Sequence, residues 1–218
     1  MTGETGAGPT VTRGPVVPAE ASLGTARPRT SMAPRKALRQ PAIDLAGGVR
    51  MRPWRSVDAA DLWLAAQDPL VRRYAGFLVA DRSDAAVVVQ QAAAMWRSRD
   101  GAAWGLWDGT TLLGSLRFVG ADAYPGTGVV GYWLVPQARG RGLATAALEA
   151  GTRGAFSRLG WHRIELRHAV ENDRSCRVAR RCGYLLEGTL REGMTYPVDS
   201  RRSDEHLHAR LASDPEPG

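Results

Sequence analysis

The hexapeptide Gln137-Ala138-Arg139-Gly140-Arg141-Gly142 sets two glycines among arginines between two unlike stretches. Ahead of it "VVGYWLVP" is branched, aromatic or glycine, as strands are, and behind it "LATAALEA" is made of small helix formers. A strand that turns directly into a helix aims its first unpaired N–H groups at one point, and the helix dipole adds roughly half a positive charge there. Glycines at 140 and 142 keep Cβ atoms out of an anion's way, while Arg139 and Arg141 raise the local potential. The chemistry this suits is the cradling of a diphosphate. A Walker loop is excluded because Lys36 is the only lysine in the chain, and the dinucleotide fingerprint fails because Thr145 stands where its last glycine belongs. Taken alone, these residues also fit a plain glycine turn before a helix.

A second stretch, "ENDRSCRVARRCGYLLEGTLRE", puts Ser175, Val178, Ala179 and Cys182 at i, i+3, i+4 and i+7, one face of a helix. Ser175 therefore points inward with core residues. Asn172 precedes that helix and suits a cap. Arg174, Arg177 and Arg181 form another stripe, read as a solvated face with a phosphate contact as the alternative.

The elements that must position these residues follow from periodicity. Val49, Met51 and Pro53 alternate with Arg50, Arg52 and Trp54, as in a half-buried strand ended by proline. Ser56 or Asp58 then caps a helix carrying Leu62, Leu64 and Ala65, and "DRSDAAVVVQQAAAMWRSRDG" predicts a second, stopped by Gly101. "AAWGLWDG" and "TTLLGSLRFVG" are two strands about an Asp108-Gly109-Thr110 turn, and "TGVVGYWLVP" is another strand. After Gly142, the residues Ala144, Leu148, Gly151, Ala155 and Leu159 keep helical spacing up to a cap at Gly160. "HRIELRHAV" is a strand with Ile164, Leu166 and His168 on one side; a short helix ending at Gly183 and two last strands complete the chain. This order implies an α/β domain with a mixed sheet of about seven strands. Residues 1–46, rich in Pro, Gly, Thr, Ala and Arg, read as a disordered tail; the domain spans 47–212, and 213–218 form a flexible C-terminus.

Of the net charge of +7, residues 1–46 carry +3, leaving a weakly basic domain that fits a polyanionic small ligand as well as nucleic acid. No apolar run approaches the ~18 residues of a membrane helix, and the first thirty residues lack the apolar centre of an export signal. A cytoplasmic protein without a membrane partner is expected. Cys176 and Cys182, the only cysteines, are not expected to pair. His162, His168, His206 and His208 show no metal-ligand spacing, so no metal is expected.

"GYWLVPQARGRGLATAAL" resembles the acetyl-CoA-binding motif of the GCN5-related N-acetyltransferase (GNAT) family, Q/R-x-x-G-x-G/A, with Gln137, Gly140 and Gly142 at its fixed positions. Asn172, Ser175, Val178, Ala179, Gly183, Tyr184, Glu187 and Gly188 are similar to the second motif of that family's ribosomal-protein N-acetyltransferase branch. "MRPWRSVDAADL" resembles the branch's opening strand and helix, so the likeness covers residues ~49–212. The resemblance implies the GNAT fold, a mixed, mostly antiparallel sheet of about seven strands flanked by about four helices.

It also implies roles. Backbone N–H groups of Arg139, Gly140, Arg141, Gly142, Leu143 and Ala144 would hold the CoA pyrophosphate. Trp133, Leu134 and Val135 would pair their main chain with the pantetheine arm where the strand splays from its neighbour, with an N–H near Leu134 or Val135 polarising the thioester carbonyl. Ser175 would hydrogen-bond the departing thiolate, and Asn172 the pantetheine amide. Trp54, Trp63, Tyr74, Trp104, Tyr132 and Tyr196 would wall the acceptor pocket. The reaction implied is direct attack of a neutral amine on acetyl-CoA in a ternary complex.

The general base departs from the family. A glutamate common before the strand's Ile-Gly-Tyr is replaced by Val129, and an acidic residue seven after the Glu-Gly glutamate by Met194. Glu192 is the base favoured here, ahead of His168, Asp204 and His206. Expected partners are acetyl-CoA and an amine, a protein N-terminus first and a small molecule second. A homodimer is compatible with this, and nucleic acid is not expected. The missing carboxylates leave a non-catalytic acyl-CoA-binding module as the competing class.

Overall fold

The computed structural model describes residues 39–121 and 124–217, so the expected tail lies outside the described residues through position 38. The chain runs β1 (Ile43–Asp44), β2 (Val49–Pro53), α1 (Ala59–Ala65), α2 (Pro69–Tyr74), α3 (Arg82–Ser98), β3 (Gly101–Asp108), β4 (Thr111–Gly120) and β5 (Thr127–Leu134). It continues with α4 (Leu143–Gly154), β6 (Arg163–Ala169), α5 (Asp173–Arg181), β7 (Leu185–Thr195) and β8 (Arg202–Leu211). Among the described residues one sheet carries eight strands in the order β1-β2-β3-β4-β5-β6-β8-β7. Every neighbouring pair is antiparallel except β5–β6.

The α/β class and the mixed, mostly antiparallel sheet agree with the sequence, with one strand more than expected. The added strand, β1, falls in the segment assigned to the tail. Gln40 Nε2 donates to Ala103 O and Trp104 Nε1 to Pro41 O, each at 2.8 Å, so residues 40–46, assigned to the tail, include packed chain. Two residues are too few to show a period. The five α-helices among the described residues include α2, which Asp68 caps by accepting from Leu70 N and Val71 N, with Pro69 at the first position.

Helix starts and stops obey local chemistry. Asp81 caps α3 by accepting from Ser83 N and Asp84 N, but the helix ends on Arg99 in the left-handed region (φ 64°), not on Gly101. Gly101 instead opens β3, where a Cβ would collide with Phe118 O. Asp58 is buried rather than exposed as a cap, held at 2.7 and 2.9 Å by the Arg52 guanidinium, which stacks 3.9 Å over the Trp107 ring. Leu64, expected on the core face of α1, is 59% exposed, while Leu62 and Ala65 are buried.

Helix α4 lays Leu143, Ala147, Leu148 and Gly151 on the sheet. Glycine at 151 is required there, since a Cβ would stand 2.5 Å from Leu116 and 2.6 Å from Phe118. The continuation, Ala155–Leu159, widens into a π-turn that Gly160 closes with φ 73°.

The feature that matters most is where β5 and β6 part. Their parallel pairing runs from Thr127↔Arg163 to Val130↔Leu166 and stops, although β5 continues to Leu134 and β6 to Ala169. Trp161 lies over Gly128 at the joined end, so an added Cβ would overlap its ring. Gly128→Ala should therefore destabilise the domain by about 1–3 kcal/mol; urea unfolding would check it, and an unchanged midpoint would contradict this packing.

Candidate functional site

Beyond Val130 the strand β5 keeps only one neighbour. Val135 N donates to Leu113 O at 3.0 Å. By two-residue alternation the peptide groups of Trp133 also face β4, while those of Tyr132 and Leu134 face the gap. This corrects one expectation: the Val135 N–H is already used, so Leu134 is the residue whose N–H can serve an oxygen in the slot. The Leu134 carbonyl accepts from Arg139 Nε at 3.1 Å, and Arg139 Nη2 reaches Asp68, the cap of α2.

At the end of the slot a turn over Pro136–Ala138 leads into Gly140 and Gly142, both at φ 75°. Side chains rarely adopt this conformation, and at both positions nothing lies within 4 Å of where a Cβ would stand. Gly142 begins α4 without a side-chain cap, and Ala146 N is bonded back to Gly142 O at 3.1 Å. The N–H groups of Leu143 and Ala144 thus belong to the helix's unpaired first turn. Arg139 departs from expectation, because its N–H donates to Pro136 O and its guanidinium is paired with Asp68. This leaves Gly140–Ala144 as the stretch of the expected cradle whose backbone is not tied back into the turn, with Arg141 exposed within it.

Across the gap, Tyr132 OH donates to Ser175 Oγ at 3.2 Å. Burial pushes the Tyr132 phenol up to about 12, so it stays protonated. Ser175 is half-buried on the first turn of α5, facing inward as the spacing predicts. Asn172 caps that helix, its Oδ1 accepting from Ser175 N at 3.3 Å, which leaves its amide nitrogen for another partner.

Sequence reasoning missed a cluster around Glu171, which directly precedes Asn172. Tyr196 OH and Ser203 Oγ both donate to the Glu171 carboxylate, the second at 2.7 Å, with Arg73 and Arg201 at 3.5 and 3.6 Å. The Arg73 guanidinium lies 4.9 Å from the centre of the Tyr196 ring, and Tyr74 meets Tyr196 edge-on at 5.9 Å. Tyr74 and Tyr196 thus lie together as proposed for a pocket wall. Trp54 and Trp104 do not: both are core residues packed on Trp107 and Phe118. The aromatic count could not distinguish the two.

The Tyr196 hydrogen bond, with help from Ser203 and Arg201, holds the Glu171 carboxyl down to about 2. Glu171 is thus a fixed anion and a poor base. Glu192 is not brought to the Tyr132–Ser175 pair. Its side chain is 66% exposed and bonded to Arg202 at 3.2 Å, on a residue in the left-handed region (φ 50°) whose N–H donates to Asp204. His168 and His206, the other imidazole candidates, face each other across β6 and β8. With His208 and Cys176 they place one ligand atom each within 4.8 Å of one another, a grouping that their scattered positions along the chain concealed.

Among known proteins, the chain matches the acetyltransferase (GNAT) domain family over residues 49–185. YdaF of Bacillus subtilis (strain 168) is 34% identical over 89 residues, 41% of this chain and 48% of that protein. The ribosomal-protein-serine acetyltransferase of Escherichia coli (strain K12) is 29% identical over 100 residues, 46% and 55%. The match thus spans about half the length of each of these relatives. Mycobacterium smegmatis RimJ in complex with CoA-disulfide superposes with a TM-score of 0.65 at 26% identity, covering 75% of this chain and 82% of that one. No helix among the described residues is long and apolar enough to cross a membrane.

Two outcomes test this geometry. Valine at both Gly140 and Gly142 should weaken coenzyme A binding by at least about tenfold for each hydrogen bond lost, while Gly154→Ala, equally open but helical, should leave calorimetric affinity unchanged. For Glu171 the folded value lies below the ordinary one, so its contribution is full above the usual carboxylate range and fades as pH falls towards 2. The stability gap between wild type and Glu171→Gln in urea should accordingly narrow between about pH 5 and about pH 2.

Proposed function

Because the chain belongs to the acetyltransferase (GNAT) family, we propose that it transfers an acetyl group from acetyl-CoA to a primary amine, the acceptor being a protein N-terminal α-amine. The observation that carries the transfer chemistry is the parting of β5 from β6 in line with the bare turn at Gly140 and Gly142. A long, thin ligand with phosphates at one end and a reactive group at the other fits such a slot. A bound coenzyme A disulfide in the RimJ relative supports the same ligand class. The name of the Escherichia coli relative supports a ribosomal-protein acceptor, which implies a cytoplasmic protein.

In this reading the N–H groups from Gly140 to Ala144 hold the pyrophosphate, each charge-assisted bond contributing ~1.5–3 kcal/mol. Tyr132 and Leu134 offer peptide groups to the pantetheine arm, flanked by Trp133, and Asn172 keeps an amide nitrogen free for it. The Leu134 N–H takes the thioester oxygen as negative charge develops on it. The amine nitrogen attacks the carbonyl carbon, the carbon–sulfur bond breaks, the extra proton on that nitrogen passes through water to the thiolate sulfur, and Ser175 donates a hydrogen bond to the departing thiolate, with Tyr132 donating to Ser175 from behind. In the same reading Glu171, next to Asn172, and the Tyr74–Tyr196 pair receive the acceptor, the carboxylate holding an ammonium until it sheds its proton to water. An α-amine of pKa ~8 needs little further help, so a strong protein base is not required.

Ser175→Ala should lower kcat about tenfold to a hundredfold with little change in KM for acetyl-CoA, and Tyr132→Phe should act in the same direction but less. A thiol-release assay comparing peptides with free N-termini against free small amines tests the acceptor. Turnover of small amines alone would overturn the N-terminal assignment, and no turnover of either class would overturn the transfer itself.

A further inference from the structure

On the far side of β6 from the slot, three imidazoles and a thiol converge. His168 and His206 are direct partners across β6 and β8, and His208 pairs with Leu166, so all three rings emerge on one face of the sheet. The rings of His168 and His208 stack at 5.2 Å, and His206 meets His168 edge-on at 5.3 Å. Cys176 comes down from α5, its Sγ 3.7 Å from His208 Nε2.

The hydrogen bonds around the cluster sort the ring nitrogens. His168 Nδ1 lies 2.8 Å from Ala169 O and His208 Nδ1 lies 3.2 Å from Tyr184 O. A carbonyl accepts only, so both rings carry their proton on Nδ1 and turn an Nε2 lone pair inward. Metal-bound histidines are held by outer carbonyls in this way. His168 Nε2 and His206 Nδ1 are buried without a hydrogen-bond partner, and His168 itself is only 4% exposed. Buried nitrogens normally find a donor or acceptor, so two orphans in one cluster ask for a common partner.

We propose that His168, His206, His208 and Cys176 form a four-ligand site for a zinc-class divalent cation, clasping β6, β8 and α5 together. Three imidazoles and one thiolate suit zinc, and Zn–N and Zn–S bonds of ~2.0–2.3 Å put tetrahedral ligand atoms ~3.3–3.6 Å apart. The four ligand atoms already lie within 4.8 Å of one another, so the widest pair has to close by roughly 1.2–1.5 Å. Four protein ligands fill the coordination sphere, which makes the site structural: it holds the elements that carry Ser175 and one wall of the slot, and takes no part in acetyl transfer. Binding releases the Cys176 thiol proton to solvent and involves no redox step.

The test uses untagged full-length protein, reduced, freed of metal by a chelator, and titrated with cobalt(II). One equivalent per chain should give the visible bands of tetrahedral cobalt together with a thiolate-to-cobalt charge-transfer band. Cys176→Ser should remove the charge-transfer band, His206→Ala should weaken binding at least about tenfold, and zinc should displace cobalt. Zinc at a hundredfold excess over its Kd should raise Tm by about 5–10 °C and slow labelling of Cys176 by a thiol reagent. Folded wild-type protein that binds no stoichiometric cobalt would overturn the site, as would a charge-transfer band that persists in Cys176→Ser. Neither readout depends on acetyl transfer, so the site stands or falls apart from the function proposed above.

Discussion

The structure is organised around a main-chain problem: β5 carries outward-facing peptide groups at Tyr132 and Leu134 after its neighbour has turned away. Polar backbone left without partners inside a fold is costly, and nearly every such group is satisfied somehow. Arg139 answers for one carbonyl. The rest of the gap is left open, and it leads straight to a helix start whose first N–H groups are unpaired too. The same deficit that would weaken an ordinary sheet creates an elongated site for a ligand with amide and phosphate groups. The residues around it are tied down: Asp68 serves both the cap of α2 and Arg139, and Asn172 fixes the turn that presents Ser175.

The arginine excess reads differently once the side chains are placed. Arg52 forks a buried carboxylate, Arg163 bridges Glu165 and Glu187 on two strands, and Arg210, almost wholly buried, donates to Cys182 O. These are planar, multi-donor tasks that a lysine ammonium does poorly. Much of the domain's positive charge is thus neutralised locally, and Arg141 remains exposed where the chain turns into α4. Composition alone cannot separate these internal forks from a surface patch.

The parts of the fold legible in the sequence were those governed by local rules. The turn before α4, the hairpin between β3 and β4, and the inward side of α5 follow from glycine positions and helical spacing over a few residues. What was hidden depended on partners far along the chain. Gly101 looked like a helix stop because glycine often is one, yet close packing on β4 claimed it for a strand. Leu64 is apolar, but two residues on from Leu62 it falls on the opposite side of α1 from Leu62, Ala65 and Ala66 and is exposed. Glu192 had the right chemistry two residues short of the family position at Met194, but a break in the β7–β8 register turned it outward to Arg202. Glu171 carried no periodic signal at all, because its role arises from Tyr196, just past the end of β7, and Ser203 on β8. The grouping of His168 with His206 and His208 likewise depends on antiparallel register, which no spacing within one segment encodes.

Strand β7 closes the sheet with one side unpaired, and its register with β8 is interrupted between Leu186 and Gly188 and again between Leu190 and Met194. A long straight border bearing Leu185, Leu186 and Leu190 in the open would be a template for strand addition by other chains. The two interruptions cut it into short, differently twisted lengths, with Glu187, Arg191 and Glu192 spaced along them. The irregularity that carries Glu192 away from the reaction centre thereby guards the molecule against aggregating through its own last edge.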